Sequence, residues 1–357
     1  MYKIIFIAHG GSNIGMGHII RCMSLANTFK LHNHNVIFIS KYKTGQKVLL
    51  ENKFNYIPIN GKESFADGFH YGSKEELEED WQTIKEILIA EKPDIIVIDS
   101  YNVTKEFFME LNKHTKCTIY IDDIAAFDYP VDIVINGNIS APLLEYKKTF
   151  KNQKFLLGLE YNLIRQEFRN TPKRNVPTQC NSIMISTGAA DPHNMTEIIL
   201  STLINDSNLS EYTFHVIIGK GFKENAINQI RSMAIESNAI VLHQNPAKMS
   251  EIMLKSDLAI TAGGSTLYEL FACGVVTFAF IYADNQKDLV KESEKNGYLF
   301  NIGLYNEINQ KDLIKKIIRV AENYRLRKSM VEKIQSVVDC NGTERIVEEV
   351  EKVMMEK

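Results

Sequence analysis

Along the 357-residue chain, short apolar runs alternate with longer stretches in which apolar positions recur every three to four residues. Runs of the first kind occupy residues 4–8, 36–40, 95–99, 118–122 and 133–136, and helical periodicity covers 16–31 and 75–90. A run that is apolar at nearly every position fits a strand covered on both faces. The order strand, helix, strand therefore predicts a parallel sheet with helices on both sides. The pattern restarts at 183–187 and continues through 213–219, 240–243, 258–262 and 277–281, with helices expected to begin near residues 191, 222, 247, 265 and 284. Between the halves lies RQEFRNTPKRNVPTQ, residues 165–179, polar and proline-containing, without an apolar period. The chain thus reads as an α/β protein of two Rossmann-like domains: 1–165 with a glycine loop, a linker at 166–180, and 181–357 ending in two or three helices broken near residues 341–342.

Composition changes this picture by exclusion. With 41 Lys+Arg against 44 Asp+Glu, the net charge of −3 supplies no field for a polyanion, so a nucleic-acid partner is not expected. The longest apolar run, 271–283, is interrupted by Gly274 and falls short of the ~18 residues of a membrane span. The first residues lack a signal-peptide pattern, and a cytoplasmic protein without membrane insertion is expected. Five scattered cysteines with no CxxC pair predict neither a disulfide framework nor a metal-thiolate centre, and the histidines lack ligand-like spacing; no metal and no cofactor are expected.

In open α/β sheets ligands bind beyond the carboxyl ends of the strands. The first strand runs into HGGSNIGMGHIIRC, where Gly15 and Gly17 precede a helix and allow close approach of backbone to an anionic or sugar ligand. The spacing matches neither a P-loop nor GxGxxG. His18 stands at the start of that helix, and an imidazole there is suited to accept a proton. The strand DIIVIDSY brings Asp99 and Tyr101 to a carboxyl end, the former to orient neighbours and the latter to offer a hydroxyl. Asp122 and Asp123 end the next strand, where adjacent carboxylates point in different directions. In the second half, Gly188 leaves room for a ligand, while Asp191 is expected to cap a helix with Pro192 in its first turn. LAITAGGSTLYELFACG offers Gly263, Gly264, Ser265 and Thr266 to a diphosphate, and Glu269 to ribose hydroxyls. Asn285 and Gln286 follow the next strand with groups suited to sugar recognition.

Taken in order, GSNIGMGHIIRC, DSY, IDD, GLEYNLIRQEF, STGAADPHN, AGGSTLYELFACG and ADNQ resemble the UDP-sugar hydrolase family of pseudaminic acid (nonulosonic acid) biosynthesis, related in fold to the peptidoglycan glycosyltransferase that forms lipid II. The resemblance spans roughly residues 10–290. It implies a GT-B architecture, with two Rossmann-like domains facing across a cleft. It further implies metal-independent hydrolysis of UDP-2,4-diacetamido-2,4,6-trideoxy-β-L-altropyranose to free sugar and UDP. His18 would then activate water and Tyr101 position the reacting groups, with Gly263, Gly264, Ser265, Thr266 and Glu269 holding UDP, and Asn285 and Gln286 lining the cleft. The alternatives are a GT-B glycosyltransferase, in which an acceptor hydroxyl replaces water, and a noncatalytic nucleotide-sugar binding protein.

Overall fold

The computed structural model describes residues 1–11, 14–61, 63 and 72–357; Ser12 and Asn13 of the first glycine loop lie outside the described residues. The chain divides into two compact units, Met1–Arg165 together with Asn341–Lys357, and Gln166–Cys340.

The first unit is built on a parallel sheet of β1 (Lys3–Ala8), β2 (Asn35–Ser40), β3 (Asn55–Pro58), β4 (Ile95–Asp99), β5 (Cys117–Ile121), β6 (Ile133–Asn136) and β7 (Lys154–Leu157). The spatial order is β3-β2-β1-β4-β5-β6-β7. The direction of winding reverses between β1 and β4, whose last residues, Ala8 and Asp99, are paired. Such a reversal opens a crevice at the carboxyl edge.

Side-chain alternation decides which residues meet there. Ile5, Ile7, Ile96 and Ile98 pack with Leu77, Ile84 and Leu88 of the helix Lys74–Glu91. The opposite face, carrying Phe6, lies against Phe29 of the helix Gly17–Leu31. Asp99, one residue beyond Ile98, is therefore turned toward the Gly17–Leu31 side.

The second unit carries β8 (Ser182–Ser186), β9 (Thr213–Ile218), β10 (Ile240–Gln244), β11 (Leu258–Ala262), β12 (Val276–Ile281) and β13 (Phe300–Leu304), all parallel, in the order β10-β9-β8-β11-β12-β13. Winding reverses between β8 and β11, so Gly188 and the Gly263–Gly264 pair follow the strands at its switch point. No helix among the described residues is long and apolar enough to cross a membrane.

Three strands, β3, β7 and β13, are absent from the sequence reading. Each is a sheet edge with few fully buried residues. A strand covered on one side only carries a weak apolar signal.

Two boundaries are also corrected. The expected 181–357 domain loses its last helix, Gly342–Glu356, which packs on the helix Gly17–Leu31 and the turn Leu159–Tyr161 of the first unit. Its apolar stripe of Ile346, Val347, Val350, Val353 and Met354 is buried, and Thr28 Oγ1 donates to Thr343 Oγ1 at 2.8 Å. Residues 166–180, expected as a linker, belong to the second unit from its first residue. Arg174 donates to the Cys273 and Met253 carbonyls at 3.0 and 2.8 Å, and Arg327 donates to those of Pro177 and Thr178 at 2.8 and 2.9 Å. Two arginines, one inside the segment and one outside it, thus fasten it to the second unit.

Candidate functional site

The helix Gly17–Leu31 begins directly after the first glycine loop. Gly15 holds φ +77°, in the region that favours glycine, and its N–H donates to the Gly11 carbonyl at 2.8 Å. Gly17 opens the helix with free space where a side chain would project. His18 is the next residue, 8% exposed.

His18 Nδ1 lies 2.6 Å from Asp99 Oδ1. Arg21, one helical turn along the same face, donates Nε to Asp99 Oδ2 at 2.6 Å and Nη2 to Oδ1 at 2.7 Å. The remaining arm of the guanidinium, Nη1, donates to both oxygens of Asp123 at 2.8 and 2.9 Å. Tyr101 donates its hydroxyl to Asp123 Oδ2 at 2.6 Å, and Asn138 Nδ2 donates to Oδ1 at 2.8 Å. The Tyr101 ring meets the His18 ring edge to face, with centroids 4.9 Å apart.

Burial pushes the Asp99 carboxyl up, but the Arg21 guanidinium and then His18 outweigh it and hold the group well below the usual carboxylate range. An ionised Asp99 only accepts hydrogen bonds, so His18 Nδ1 donates to it. In the neutral imidazole, an Nδ1–H held in this way puts the acceptor lone pair on Nε2.

Two of these partners, Arg21 and Asn138, had no part in the expectations drawn from the sequence. Arg21 carries a signal in its i+3 spacing from His18, whereas Asn138 comes from a separate loop; Asp123 was expected at its strand end, but not as the partner of Arg21 and Tyr101. The adjacent aspartates do diverge: Asp122 accepts from the Tyr146 and Tyr129 hydroxyls at 2.6 and 2.9 Å and from the Ala125 amide at 2.7 Å, in a separate buried cluster.

In the second unit Gly188 holds φ +110°. Asp191 reaches the helix Met195–Ile204 from outside it, accepting from the Met195 and Thr196 amides, each at 2.8 Å, and from the Tyr282 hydroxyl at 2.6 Å. The N-cap residue is Asn194, with φ +53°, so Pro192 precedes the helix instead of standing in its first turn. Gly263 is the tightest position after β11: a Cβ there would overlap Val290 and come to 3.4 Å from Gln286 Cβ. Gly264 faces open space. Ser265 and Thr266 begin the helix Thr266–Ala272, in which Glu269 is 8% exposed. Gln286 accepts from the Tyr282 amide at 2.9 Å through Oε1, and Asn285 is exposed beside it. The structure thus gathers Gly263 and Gln286 at one carboxyl edge, and His18 and Tyr101 at that of the other unit.

Residues 172–337 match the family model described as glycosyl transferases group 1. Across both units the chain superposes on MurG of Acinetobacter baumannii with a TM-score of 0.65 at 13% identity, covering 98% of this chain and 99% of that one. It superposes on UDP-GlcNAc 2-epimerase of Neisseria meningitidis with a TM-score of 0.63 at 13% identity, covering 98% and 100%.

The chain has the GT-B fold.

Sequence relatives of this GT-B chain are distant. An uncharacterised protein of Methanocaldococcus jannaschii is 26% identical over 80% of this chain and 57% of its own length, so the chain spans little more than half of that relative. The spore coat polysaccharide biosynthesis protein SpsG of Bacillus subtilis is 22% identical over 95% of each chain. The UDP-2,4-diacetamido-2,4,6-trideoxy-β-L-altropyranose hydrolase of Campylobacter jejuni is 24% identical over 83% of this chain and 97% of its own.

Proposed function

We propose that this GT-B protein hydrolyses a UDP-linked 2,4-diacetamido-2,4,6-trideoxy-hexose, the β-L-altropyranose isomer, to free sugar and UDP. The carrying observation is His18 set by an ionised Asp99 that Arg21 clamps from the other side. Water gives its proton to His18 Nε2 as its oxygen bonds to the anomeric carbon, and the bond from that carbon to the diphosphate oxygen breaks, releasing UDP. Tyr101 is assigned the positioning of reacting groups. Gly15 and Gly17 are assigned to the sugar side, and Gly188, Gly263, Gly264, Ser265, Thr266 and Glu269 to UDP. Asn285 and Gln286 are assigned to the sugar and phosphates. The likeness to the Campylobacter jejuni hydrolase over most of both chains supports this reaction. The match of residues 172–337 to glycosyl transferases group 1 supports a second reading, in which an acceptor hydroxyl takes the place of water.

UDP release from a panel of UDP-linked diacetamido-trideoxy-hexoses, without acceptor and with EDTA present, tests the proposal. One isomer is expected to turn over. His18→Ala is expected to lose about 10²-fold to 10⁴-fold in kcat, the ordinary contribution of a positioned base, while still binding UDP. Absence of UDP release from every donor until an acceptor is added would replace the hydrolase with the transferase.

A further inference from the structure

Asp123 belongs to the cluster around His18, yet the reaction as written above gives it no task. Each of its oxygens takes two donors. Oδ1 accepts from Arg21 Nη1 and Asn138 Nδ2, each at 2.8 Å, and Oδ2 accepts from Arg21 Nη1 at 2.9 Å and from the Tyr101 hydroxyl at 2.6 Å. A proton on either oxygen would displace one of these donors, so the surroundings suit a carboxylate and nothing else. Arg21 is charged in return: burial works against its guanidinium, but Asp123 and then Asp99 outweigh the burial.

Arg21 Nη2 stands 3.4 Å from His18 Nδ1, and both nitrogens reach Asp99 Oδ1. A guanidinium that close, in a largely buried place, opposes a second positive charge on the imidazole. With Asp99 as its only counter-ion, it would cancel the one carboxylate an imidazolium needs. A second carboxylate changes the balance. One guanidinium between Asp99 and Asp123 leaves a single net negative charge beside neutral His18, and none once His18 has taken a proton. Among the described residues of the first unit, the other titratable groups about this imidazole carry no charge. His9 is pushed down to about 4, by burial first and then by the charge of Lys41. Cys22, pushed up by burial, donates its thiol to Asp99 Oδ2 at 3.5 Å. Tyr101 keeps its proton in the bond to Asp123.

We infer that Asp123 is a positioning residue for the hydrolysis: acting through Arg21, it offsets the guanidinium, so that Asp99 is left to stabilise the imidazolium formed when water gives its proton to His18 Nε2. Its effect on rate rests on the hydrolase reading above; its coupling to the proton affinity of His18 does not. The same carboxylate holds the Tyr101 hydroxyl, whose ring meets that of His18, so a purely structural role would act through the tyrosine.

Three variants of the full chain separate the two roles. The pH titration of the His18 ring is followed by NMR at its Cε1 proton, the signal being the one missing from His18→Ala. In Asp123→Asn the midpoint is expected to fall by about one pH unit, a tenfold loss of proton affinity. In Arg21→Gln, which removes the opposing charge, it is expected to rise. In Tyr101→Phe, which removes the hydroxyl and leaves every charge in place, it is expected to stay. Thermal melts establish which variants are folded, and because the first two move in opposite directions, either one carries the sign without the other. In UDP-release kinetics the acid limb of kcat/KM should shift in the same order, with kcat of Asp123→Asn about tenfold or more below wild type and KM little changed. A midpoint that Asp123→Asn leaves in place, that Tyr101→Phe moves equally, or that Arg21→Gln lowers overturns the assignment. Midpoints that move as stated while the acid limb does not follow overturn its part in the rate. The same movements in a protein that releases UDP from no donor remove the hydrolase reading and leave the charge coupling standing.

Discussion

Asp99 is the residue on which the candidate chemistry turns. It is 1% exposed and accepts from His18 once and from Arg21 twice. Asp99→Asn presents an amide that no longer dictates which His18 nitrogen carries the proton. The expected result is a fall in kcat of about 10²-fold or more with UDP affinity unchanged, read by steady-state kinetics and calorimetry. The same carboxylate ties stability to acid. Its folded pKa is depressed, so its contribution is present above the unfolded value near 3.9 and is lost as pH falls toward the folded one. Urea titrations between about pH 5 and pH 3 should show stability dropping with acidification, with a shallower slope in Asp99→Asn. The histidine, the tyrosine and the aspartate were legible in the sequence because each follows a recognisable strand or loop. Arg21 was not, and Asp123 was legible only as a strand-end carboxylate, since the bonds that define their roles join residues 78 and 102 positions apart.

At the scale of elements, the helix Gly342–Glu356 is the most informative. Gly342 sits against the backbone of Tyr161 and Asn162, and a Cβ there would overlap the Asn162 carbonyl oxygen. Because the obstacle is backbone, Gly342→Ala should destabilise the protein by about 1–3 kcal/mol, measured as a fall in denaturation midpoint. The same helix is held by histidines. His32 pairs with Glu344 and Glu351, and His34 Nε2 lies 2.9 Å from Glu351 Oε1. The Glu344 hydrogen bond is the main cause that raises the His32 pKa above its ordinary value, against partial desolvation. A raised folded pKa makes this contribution full below about pH 6.5 and lost as pH climbs through the folded value. Hydrogen exchange in this helix, corrected for intrinsic rate, should therefore quicken as pH climbs through the raised His32 pKa in the wild type and show no such step in His32→Gln.

For the whole molecule, the chain path sets which part can stand alone. The second unit is one continuous stretch, Gln166–Cys340, whereas the first needs both Met1–Arg165 and Asn341–Lys357. A fragment of residues 166–340 is expected to melt cooperatively by circular dichroism. A fragment of residues 1–165 leaves bare the surface that Ile346, Val347 and Val350 cover, and is expected to melt at lower temperature or without a clear transition until a peptide of residues 341–357 is added. If the short fragment melts unchanged with and without that peptide, the last helix is dispensable to the first unit.

The doubly wound α/β architecture and its repetition follow from the order of residues alone. The central strands β1, β4, β5, β8, β11 and β12 are covered on both faces and so read as unbroken apolar runs, and the glycine-bearing loops after β1 and β11 stand out against them. The edge strands, the return of the last helix to the first unit, the pinning of residues 166–180 and the meeting of Arg21, Asp123 and Asn138 around the Asp99–His18 pair emerge only once the chain is folded. Burial on both sides of a strand imprints itself on every consecutive residue, while an edge, a returning helix or a shared carboxylate is defined by a partner far along the chain and leaves no local period to read.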